Sequence, residues 1–476
     1  MSSGTLSSSS NLDGAPLLTS RDNSDDERLA NDVANLVVET YLKLPQKFRV
    51  KSTEWTVLSG IVAELGESGE ELVLVSLGTG TKCLGDAELV DGYVVRDCHA
   101  ETMARRGLNN VLMEEMSSII AQRHAHSTSN SDKKELPETV LLEPIAGNSE
   151  GDFRFRLKPN VRLHLFISDS PCGCASEYAR VEGDSRRITG AKRYRLSSSE
   201  ALSAEGTRNV DDVDDDDNLR TKSGRSDLPK EKRTRCMSCS DKVMKWAAIG
   251  FQSSLACLMG LIVPVRPHSI ILSRDAVLGA YEDPSVGFAN DAALRQDAID
   301  EVRSALENSL SRLKRCPGYD VNLLPRVRVA KTVGFPQSRQ RIDPPMKKTV
   351  GDSLSSASKP APSSGVALSW IVKGGGPRRE RCGAKAGGGM AETLVGVRGV
   401  REGASKTASS RLVCSDLCKA AWLKRYMEHV TLAGDVRTYG EVKQSKPTWH
   451  RQLVDEFRKT FPGWNVNERF DNFILE

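Results

Sequence analysis

The stretch RDCHAETMARRGLNN, residues 96–110, decides how the surrounding chain folds. Its pattern predicts a half-buried helix that begins near His99 and runs to about Met116. His99 and Glu101 stand two positions apart at the first turn, and Arg105 and Arg106 follow on the same helix. Buried charges are costly unless they are paired, so the presence of these charged residues on a half-buried helix needs a chemical explanation.

The segments around this helix predict a central sheet covered by helices. Helices and strands alternate along the chain, an order typical of an α/β layered fold. We find no internal repeat. The predicted elements, besides the helix described above, are a helix over 28–44, a hairpin of strands over 56–65 and 71–77, a strand over 162–168, a helix from 236–242 to about 261, a strand over 269–273 and helices within 407–476.

Composition indicates that only part of the 476 residues folds. The hydrophobic content of 38% is low for a globular protein, and the deficit is concentrated in polar segments. We expect residues 27–476 to form the folded domain. The segments expected to be disordered are an N-terminal tail over 1–26 and insertions near 124–136, 195–233, 345–365 and 373–391.

Several classes of protein are disfavoured. The chain opens without an apolar leader and has no apolar run near the roughly 18 residues of a membrane span, so we expect no membrane partner and an intracellular protein of the nucleus or cytoplasm. Eleven cysteines without a secretory leader indicate free thiols and metal ligands. The net charge of +4 permits an anionic partner, and six aspartates within 210–217 make the remainder more basic. No obligate protein partner is indicated.

His99, Cys172 and Cys239 are the candidate metal ligands. Each lies at the first turn of a predicted helix. Imidazole and thiolate bind zinc well, and a catalytic zinc commonly takes three protein ligands and one water. Glu101 could then exchange protons with that water. The alternative is that His99 is a satisfied core histidine and the cysteines are small core residues.

The order of the motifs favours the metal. His99-Ala-Glu101, then a strand, then Pro171-Cys172 is the H-x-E and P-C pattern of the zinc nucleobase deaminases. Their usual second thiol, three positions after the first, is missing because residue 175 is alanine. Another cysteine must therefore serve.

Several motifs together resemble the deaminase domain of the RNA adenosine deaminases. This family contains double-stranded RNA editing enzymes and the tRNA-specific enzyme that converts adenosine 37 of alanine tRNA to inosine. The resemblance runs from about residue 30 to the C-terminus and implies a cytidine-deaminase-like layered fold, with a central mixed sheet, helices on both faces and a helical C-terminal part. The motifs are Gly78-Thr-Gly-Thr-Lys-Cys83, Asp97-Cys-His-Ala-Glu101 with Ala104-Arg-Arg106, Ser170-Pro-Cys-Gly173, Gly190-Ala-Lys192 and Met237-Ser-Cys-Ser-Asp-Lys242 with Trp246 and Gly250.

The resemblance implies a role for each site residue. His99, Cys172 and Cys239 would bind zinc, and Glu101 would shuttle protons during hydrolytic deamination of adenosine to inosine. Thr81 and Lys82 would contact the ribose and phosphate of the target nucleotide.

The resemblance also implies a second cofactor, a buried inositol hexakisphosphate. From spacing alone, salt bridges or side chains that reach solvent are the favoured explanation of the inward cations, and the resemblance shifts this towards a bound anion. The family pattern is altered at Arg96, Cys236, Lys245 and Leu453, where Asn, Thr, Arg and Lys are usual, and at Cys174, where Asp is usual. The matching positions are Arg105, Lys242, Lys245, Trp246, Lys419, Tyr439, Lys443 and Trp464.

The expected substrate is an adenosine in the anticodon loop of alanine tRNA, because an unpaired base leaves its stack at least cost. Only about 50 residues precede the first predicted strand, which we expect leaves no room for a separate duplex-RNA binding domain. The basic segment 186–194 would contact RNA phosphates or form an ordinary solvated loop.

Other functions stay open. They are a duplex-RNA editing deaminase that lacks binding domains and an inactive RNA-binding subunit. Cytidine deamination is less favoured, because the P-C-x-x-C spacing is absent. Cys414 and Cys418 are expected to be core thiols on one helix.

Overall fold

The computed structural model describes residues 23–66, 69, 71–85, 92–128, 139–145, 153–176, 192–193, 219–222, 234–278, 292–342, 361–373, 389–405, 407–429, 438–445, 448–464 and 471–475. Among these residues, no helix combines the length and the apolar character needed to cross a membrane. The α-helices are α1 (Asn23–Lys43), α2 (Ala100–Thr128), α3 (Cys239–Ile249), α4 (Ser254–Leu258), α5 (Arg274–Leu278), α6 (Ala292–Ser311), α7 (Arg339–Ile342), α8 (Lys419–His429), α9 (Tyr439–Gln444) and α10 (Trp449–Thr460).

The strands form one large mixed sheet and three small two-stranded sheets. In the large sheet the order is β11-β10-β7-β1-β2-β12-β13-β14. β10 runs parallel to β7 and β11, and the other neighbours are antiparallel. The strands are β1 (Leu58–Leu65), β2 (Glu71–Thr79), β3 (Thr81–Cys83), β4 (Asp97–His99), β5 (Leu142–Ile145), β6 (Arg154–Leu157), β7 (Val161–Ile167), β8 (Lys192–Arg193), β9 (Arg220–Thr221), β10 (Ser269–Ser273), β11 (Arg326–Ala330), β12 (Val366–Val372), β13 (Gly389–Val395) and β14 (Val400–Arg401).

α1 and α2 cover opposite faces of this sheet. Gly60 in β1 lies so close to Val37 of α1 that a Cβ would come within 2.8 Å of its methyl groups. Gly60 pairs with Leu77, and Ser76 points to the other face because successive strand residues alternate. There the Ser76 hydroxyl donates to the carbonyl of Ala104 in α2, at 2.8 Å. The predicted α/β layered fold with helices on both faces of a mixed sheet is therefore confirmed.

Several element boundaries differ from the predicted ones. The hairpin and the strands at 162–168 and 269–273 are present, but α1 begins at Asn23, inside the expected disordered tail, and α2 continues past Met116 to Thr128. The single helix predicted from 236–242 to 261 is two helices. Gly250, at φ 91°, ends α3, and Ser253 accepts from the Ala256 N–H to start α4. A residue at positive φ cannot continue a right-handed helix.

Parts of the expected insertions are ordered. Residues 220–221 form β9, which pairs with β8, and Lys222 beside them is buried, so treating 195–233 as wholly disordered was wrong. Residues 361–365 and 389–391 also belong to the ordered structure at the edge of the sheet. Residues 124–128 of the insertion expected near 124–136 continue α2, residue 219 directly precedes β9, and residue 373 directly follows β12. The other residues of the expected insertions lie outside the described ones. So does the basic segment 186–194, apart from the backbone of 192–193.

Candidate active site

His99, Cys172 and Cys239 meet at one point although they are far apart in the chain. His99 ends β4, Cys172 lies in the loop after β7, and Cys239 is the first residue of α3. Their possible ligand atoms all lie within 4.8 Å of one another, and Cys239 Sγ is 3.4 Å from His99 Nδ1. The expected helix start at Cys172 was wrong, because the described chain there has only a 3₁₀ turn over Cys174–Ser176.

Hydrogen bonds join the start of α3 to the loop that carries Cys172. The Ser240 N–H donates to the Cys172 carbonyl at 3.0 Å, and the Cys239 N–H points at Cys172 Sγ, 3.4 Å away. Gly173 permits this approach: its φ is 116°, and a Cβ would lie 2.4 Å from Ser238 Oγ. Ser238 also caps α3 by accepting from the Asp241 N–H. The helix start and the loop therefore hold the two thiols together.

Glu101 lies beside these three residues on the first turn of α2. Its side chain is buried, and Oε2 has no hydrogen-bond partner among the described residues. Burial raises the pKa of this carboxyl. A buried carboxylate oxygen without a partner is costly in a fold, so its retention at this point is typical of a group that exchanges protons with a bound substrate or water.

The two thiols differ in their protonation. The hydrogen bond with Cys239 lowers the pKa of Cys172 well below the usual thiol value, with help from the charges of Lys222 and His99. Burial, followed by the Cys172 charge, raises the pKa of Cys239. One thiol of the pair therefore ionises readily, and a cation is needed to hold both as thiolates.

Asp97 connects this site to the interior of the protein. Its carboxylate accepts from Lys222 Nζ at 2.7 and 2.9 Å and from Lys242 Nζ, and all three residues are largely buried. Although burial opposes ionisation, the two lysine charges hold the pKa of Asp97 well below its usual range. The sequence did not identify Lys222, which falls within the expected insertion. The short alternating run Leu219-Arg-Thr-Lys222 beside the aspartates was the only signal.

Thr81 and Lys82 lie next to the three converging side chains. In the β3–β4 pair, Thr81 is opposite His99 and Lys82 is opposite Cys98. The Thr81 hydroxyl is buried with no partner among the described residues, and Lys82 Nζ donates to Ser363 Oγ at 2.7 Å. Burial lowers the pKa of Lys82. Because successive strand residues alternate, the Thr81 side chain shares the face of His99, whereas the Lys82 side chain shares that of Cys98.

The residues expected to bind inositol phosphate surround one cavity of about 940 Å³, and Asp97 lies in its wall. Leu453, which stands where lysine is usual, is absent from the described lining, whereas Arg96 and Cys236 belong to it. Its described lining contains ten lysines and arginines but only four aspartates and glutamates. The lining includes all eight expected residues: Arg105, Lys242, Lys245, Trp246, Lys419, Tyr439, Lys443 and Trp464.

The cations of this cavity lack sufficient negative charge. Burial lowers the pKa of Lys245 to about 7, and the charges of Arg458, Arg105, Lys443 and Lys242 lower it further. Burial and the charge of Arg106 likewise lower the pKa of Arg105 to about 9. Asp471, which the sequence analysis did not identify, pairs with Lys419 at 2.5 Å and Lys443 at 2.7 Å. The four carboxylates of the described lining cannot balance its ten lysines and arginines.

Cys414 and Cys418 lie outside both sites. Cys418 is buried immediately before α8 and Cys414 is half-buried in the preceding loop, so the expected position of both on one helix was wrong. Cys418 Sγ accepts from the Ala421 N–H at 3.3 Å. Among the described residues they are not part of a group that could hold a metal.

Comparison with known proteins places this arrangement in a family. Residues 76–280 match the family model of the adenosine-deaminase (editase) domain. Among curated proteins, tRNA-specific adenosine deaminase 1 of Drosophila melanogaster is 32% identical over 231 residues, which are 47% of this chain and 50% of that protein. Its counterpart in Saccharomyces cerevisiae is 30% identical over 46% of this chain and 52% of that protein.

A duplex-RNA enzyme is also similar. The double-stranded RNA-specific editase Adar of Drosophila melanogaster is 28% identical over 309 residues, 62% of this chain and 41% of that protein. The chain thus spans about half the length of the curated tRNA deaminases that it matches. The matches and the arrangement of His99, Glu101, Cys172 and Cys239 identify residues 76–280 as an adenosine-deaminase (editase) domain.

Proposed function

We propose that the protein is a zinc-dependent deaminase that hydrolyses adenosine to inosine in tRNA, at position 37 of alanine tRNA. The observation that carries this proposal is the meeting of His99, Cys172 and Cys239 beside the buried carboxyl of Glu101, whose Oε2 has no partner among the described residues. An imidazole and two thiols are a donor set that suits zinc. An inactive RNA-binding subunit has no chemical need for all four residues.

His99 Nδ1 and the sulfurs of Cys172 and Cys239 would hold the zinc ion. When bound, zinc supplies Lewis acidity that makes water a nucleophile near neutral pH. Glu101 lies where it would accept a proton from the attacking water and return it to the adenine ring and its leaving amine. Burial of Glu101 raises its pKa, which suits a group that must both accept and donate a proton.

Thr81 and Lys82 would orient the target nucleotide. The Thr81 hydroxyl is available to a ribose oxygen, and Lys82, held by Ser363, would contact a phosphate. An adenosine must leave its stack to reach buried groups, and an unpaired loop base does so at least cost. The similarity to proteins named tRNA-specific adenosine deaminase 1 supports an anticodon-loop substrate over a duplex.

The proposal is tested by incubating purified, zinc-loaded protein with an alanine tRNA transcript and sequencing the product for inosine. We expect inosine at position 37 and none at any site of a long RNA duplex. Product on the duplex alone would instead support the editase function, which the longer match to Adar favours. No product on either RNA would point to the inactive subunit.

The cavity suits inositol hexakisphosphate because its lining is cationic and because several buried donors in it have no hydrogen-bond partner among the described residues. Arg105 Nε, His450 Nε2 and Arg458 Nε are buried around it and have no hydrogen-bond partner among the described residues. Phosphate oxygens are strong acceptors that would satisfy these donors. The ring of arginine, lysine and tryptophan side chains would hold the polyanion. When bound, it supplies the negative charge that these cations otherwise lack.

We expect natively purified protein to release inositol phosphate on denaturation. A buried polyanion that is surrounded by cations should exchange slowly, so it should survive purification and be detected by mass spectrometry of the acid extract. Active protein whose extract contains no inositol phosphate would contradict this assignment.

Lys245 should make the stability of the protein, and the stabilising effect of the anion, depend on pH. Without the anion its folded pKa is about 7, below the unfolded value of 10.5, so the unfolded chain binds more protons between these values. Stability of the anion-free protein should therefore rise as pH increases from 7 towards 10. Bound inositol hexakisphosphate keeps Lys245 charged, so its stabilising effect should be largest near pH 7 and shrink by pH 9. Melting temperatures with and without the anion at both pH values measure this, and a Lys245→Met variant should show a smaller change.

A further inference from the structure

A pair of cysteines between the zinc-ligand group and the cavity has no role in the function proposed above. Cys83 ends β3, directly after Lys82, and Cys236 lies three residues before Cys239. Their sulfurs and a carboxylate oxygen of Asp97 all lie within 4.8 Å of one another. Cys83 Sγ also lies 3.5 Å from Thr234 Oγ1, and Cys236 Sγ lies 3.4 Å from Asp97 Oδ2. In the antiparallel β3–β4 pair, Cys83 lies opposite Asp97.

The charges around this pair distinguish its two members. Lys242 Nζ donates to Cys236 Sγ at 2.9 Å, and Lys222 and Lys242 both bind the neighbouring Asp97. The hydrogen bond from Cys83, together with the charge of Lys242, lowers the pKa of Cys236 to about 6. The same hydrogen bond and burial raise the pKa of Cys83 well above its usual value. Cys236 is thus the nucleophile of the pair, and Cys83 stays a thiol beside it.

A small oxidant can reach the pair from the side of Cys83, which is only half-buried. Cys236 is buried behind it, at the wall of the 940 Å³ cavity. A disulfide requires the sulfurs to approach to about 2.05 Å, so the side chains must rotate to close a separation of at most 4.8 Å. A metal ion is a poorer occupant, because the ammonium groups of Lys222 and Lys242 already neutralise Asp97 and Cys236.

We propose that Cys83 and Cys236 form a reversible disulfide when the protein meets hydrogen peroxide, with Cys236 as the attacking sulfur. The Cys236 thiolate attacks one peroxide oxygen, the O–O bond breaks, and a sulfenic acid and hydroxide form. The Cys83 sulfur then attacks the sulfenic sulfur, the S–O bond breaks, and water leaves with the Cys83 proton. Two thiols are oxidised as one peroxide is reduced to two waters, and an added dithiol reverses the reaction.

The experiment uses the full-length, zinc-loaded protein with a Cys414→Ser substitution, so that Cys414 and Cys418 cannot consume the oxidant by forming a disulfide of their own. The protein is treated with a small excess of peroxide, blocked with N-ethylmaleimide and digested with trypsin without reduction. The expected product links peptide 83–96 to peptide 236–242. Because the second peptide also contains Cys239, fragment ions must assign the bridge to Cys236. Absence of this link after peroxide treatment, or a bridge that involves Cys239, would overturn the proposal.

Two variants test the assigned order of attack. In Cys83→Ser, which keeps a hydrogen-bonding group of similar size, the sulfenic acid on Cys236 should persist and react with dimedone. In Cys236→Thr, Cys83 should stay reduced at the same peroxide dose, and its oxidation at an undiminished rate would contradict the assignment. Zinc content provides an independent check that does not depend on deaminase activity. A second equivalent of zinc that is lost in Cys83→Ser would identify a metal site instead of a thiol pair.

Discussion

Replacing Glu101 with glutamine should abolish nearly all turnover while the fold and the metal content are retained. The amide keeps the size of the side chain but cannot accept or return a proton, and general acid–base catalysis contributes about 10²–10⁴-fold in rate. We therefore expect inosine formation in single-turnover assays on alanine tRNA to slow by about 10³-fold or more. Zinc content should be unchanged, because Glu101 is not one of the three converging donors.

Stability distinguishes this effect from damage to the fold. Glu101 is buried with one oxygen unpartnered, so loss of its charge should leave the melting temperature equal or higher. Glu114→Gln, on the same helix about 20 Å further along, is a matched control that should keep wild-type turnover. Turnover of Glu101→Gln close to the wild-type rate would exclude proton transfer by this residue.

Asp97→Asn should be among the most destabilising single substitutions in the protein. The carboxylate is buried between Lys222 and Lys242, and its removal leaves two buried ammonium groups without their counter-charge. Breaking a buried ion pair from one side costs about 3–5 kcal/mol. The midpoint of urea unfolding should fall accordingly, and the zinc site should weaken because Asp97 also accepts from the His99 N–H at 3.0 Å.

An exposed ion pair in the same region provides the matched control. Asp455 lies 3.9 Å from Arg458 and 4.0 Å from Arg451, with half of its side chain exposed. Surface pairs of this kind contribute about 0–1 kcal/mol. Asp455→Asn should therefore barely move the unfolding midpoint. Equal effects of the two substitutions would show that burial of Asp97 does not determine its contribution.

The sequence predicted most elements of the fold because their patterns are local. The hairpin and the strands at 162–168 and 269–273 alternate or run apolar over a few residues, and α1 and α2 have helical spacing. The ends of helices were less well predicted. Gly250 ends α3 through a positive φ, and Ser253 starts α4 through a side-chain cap. Both effects depend on a single residue within an apolar stretch whose periodicity alone favours one longer helix.

Lys222 shows why part of the site was not predicted from the sequence. It is a lysine within a polar segment, where solvent exposure is the ordinary expectation. Its burial depends on Asp97, 125 positions earlier, and nothing in the local pattern indicates that contact. Asp471 was missed for the same reason. It pairs with Lys419 and Lys443 only because α8 and α9 lie close to it in the folded protein.

The sequence by itself determined the candidate side chains for the proposed chemistry, namely a histidine, a glutamate and two cysteines in a characteristic order. Their convergence was decided only by the tertiary structure, because β4, the loop after β7 and the start of α3 are brought together by hydrogen bonds between distant residues. The cationic cavity likewise exists only after folding. Charges that would repel one another in the folded interior are harmless in the unfolded chain, where water screens each of them.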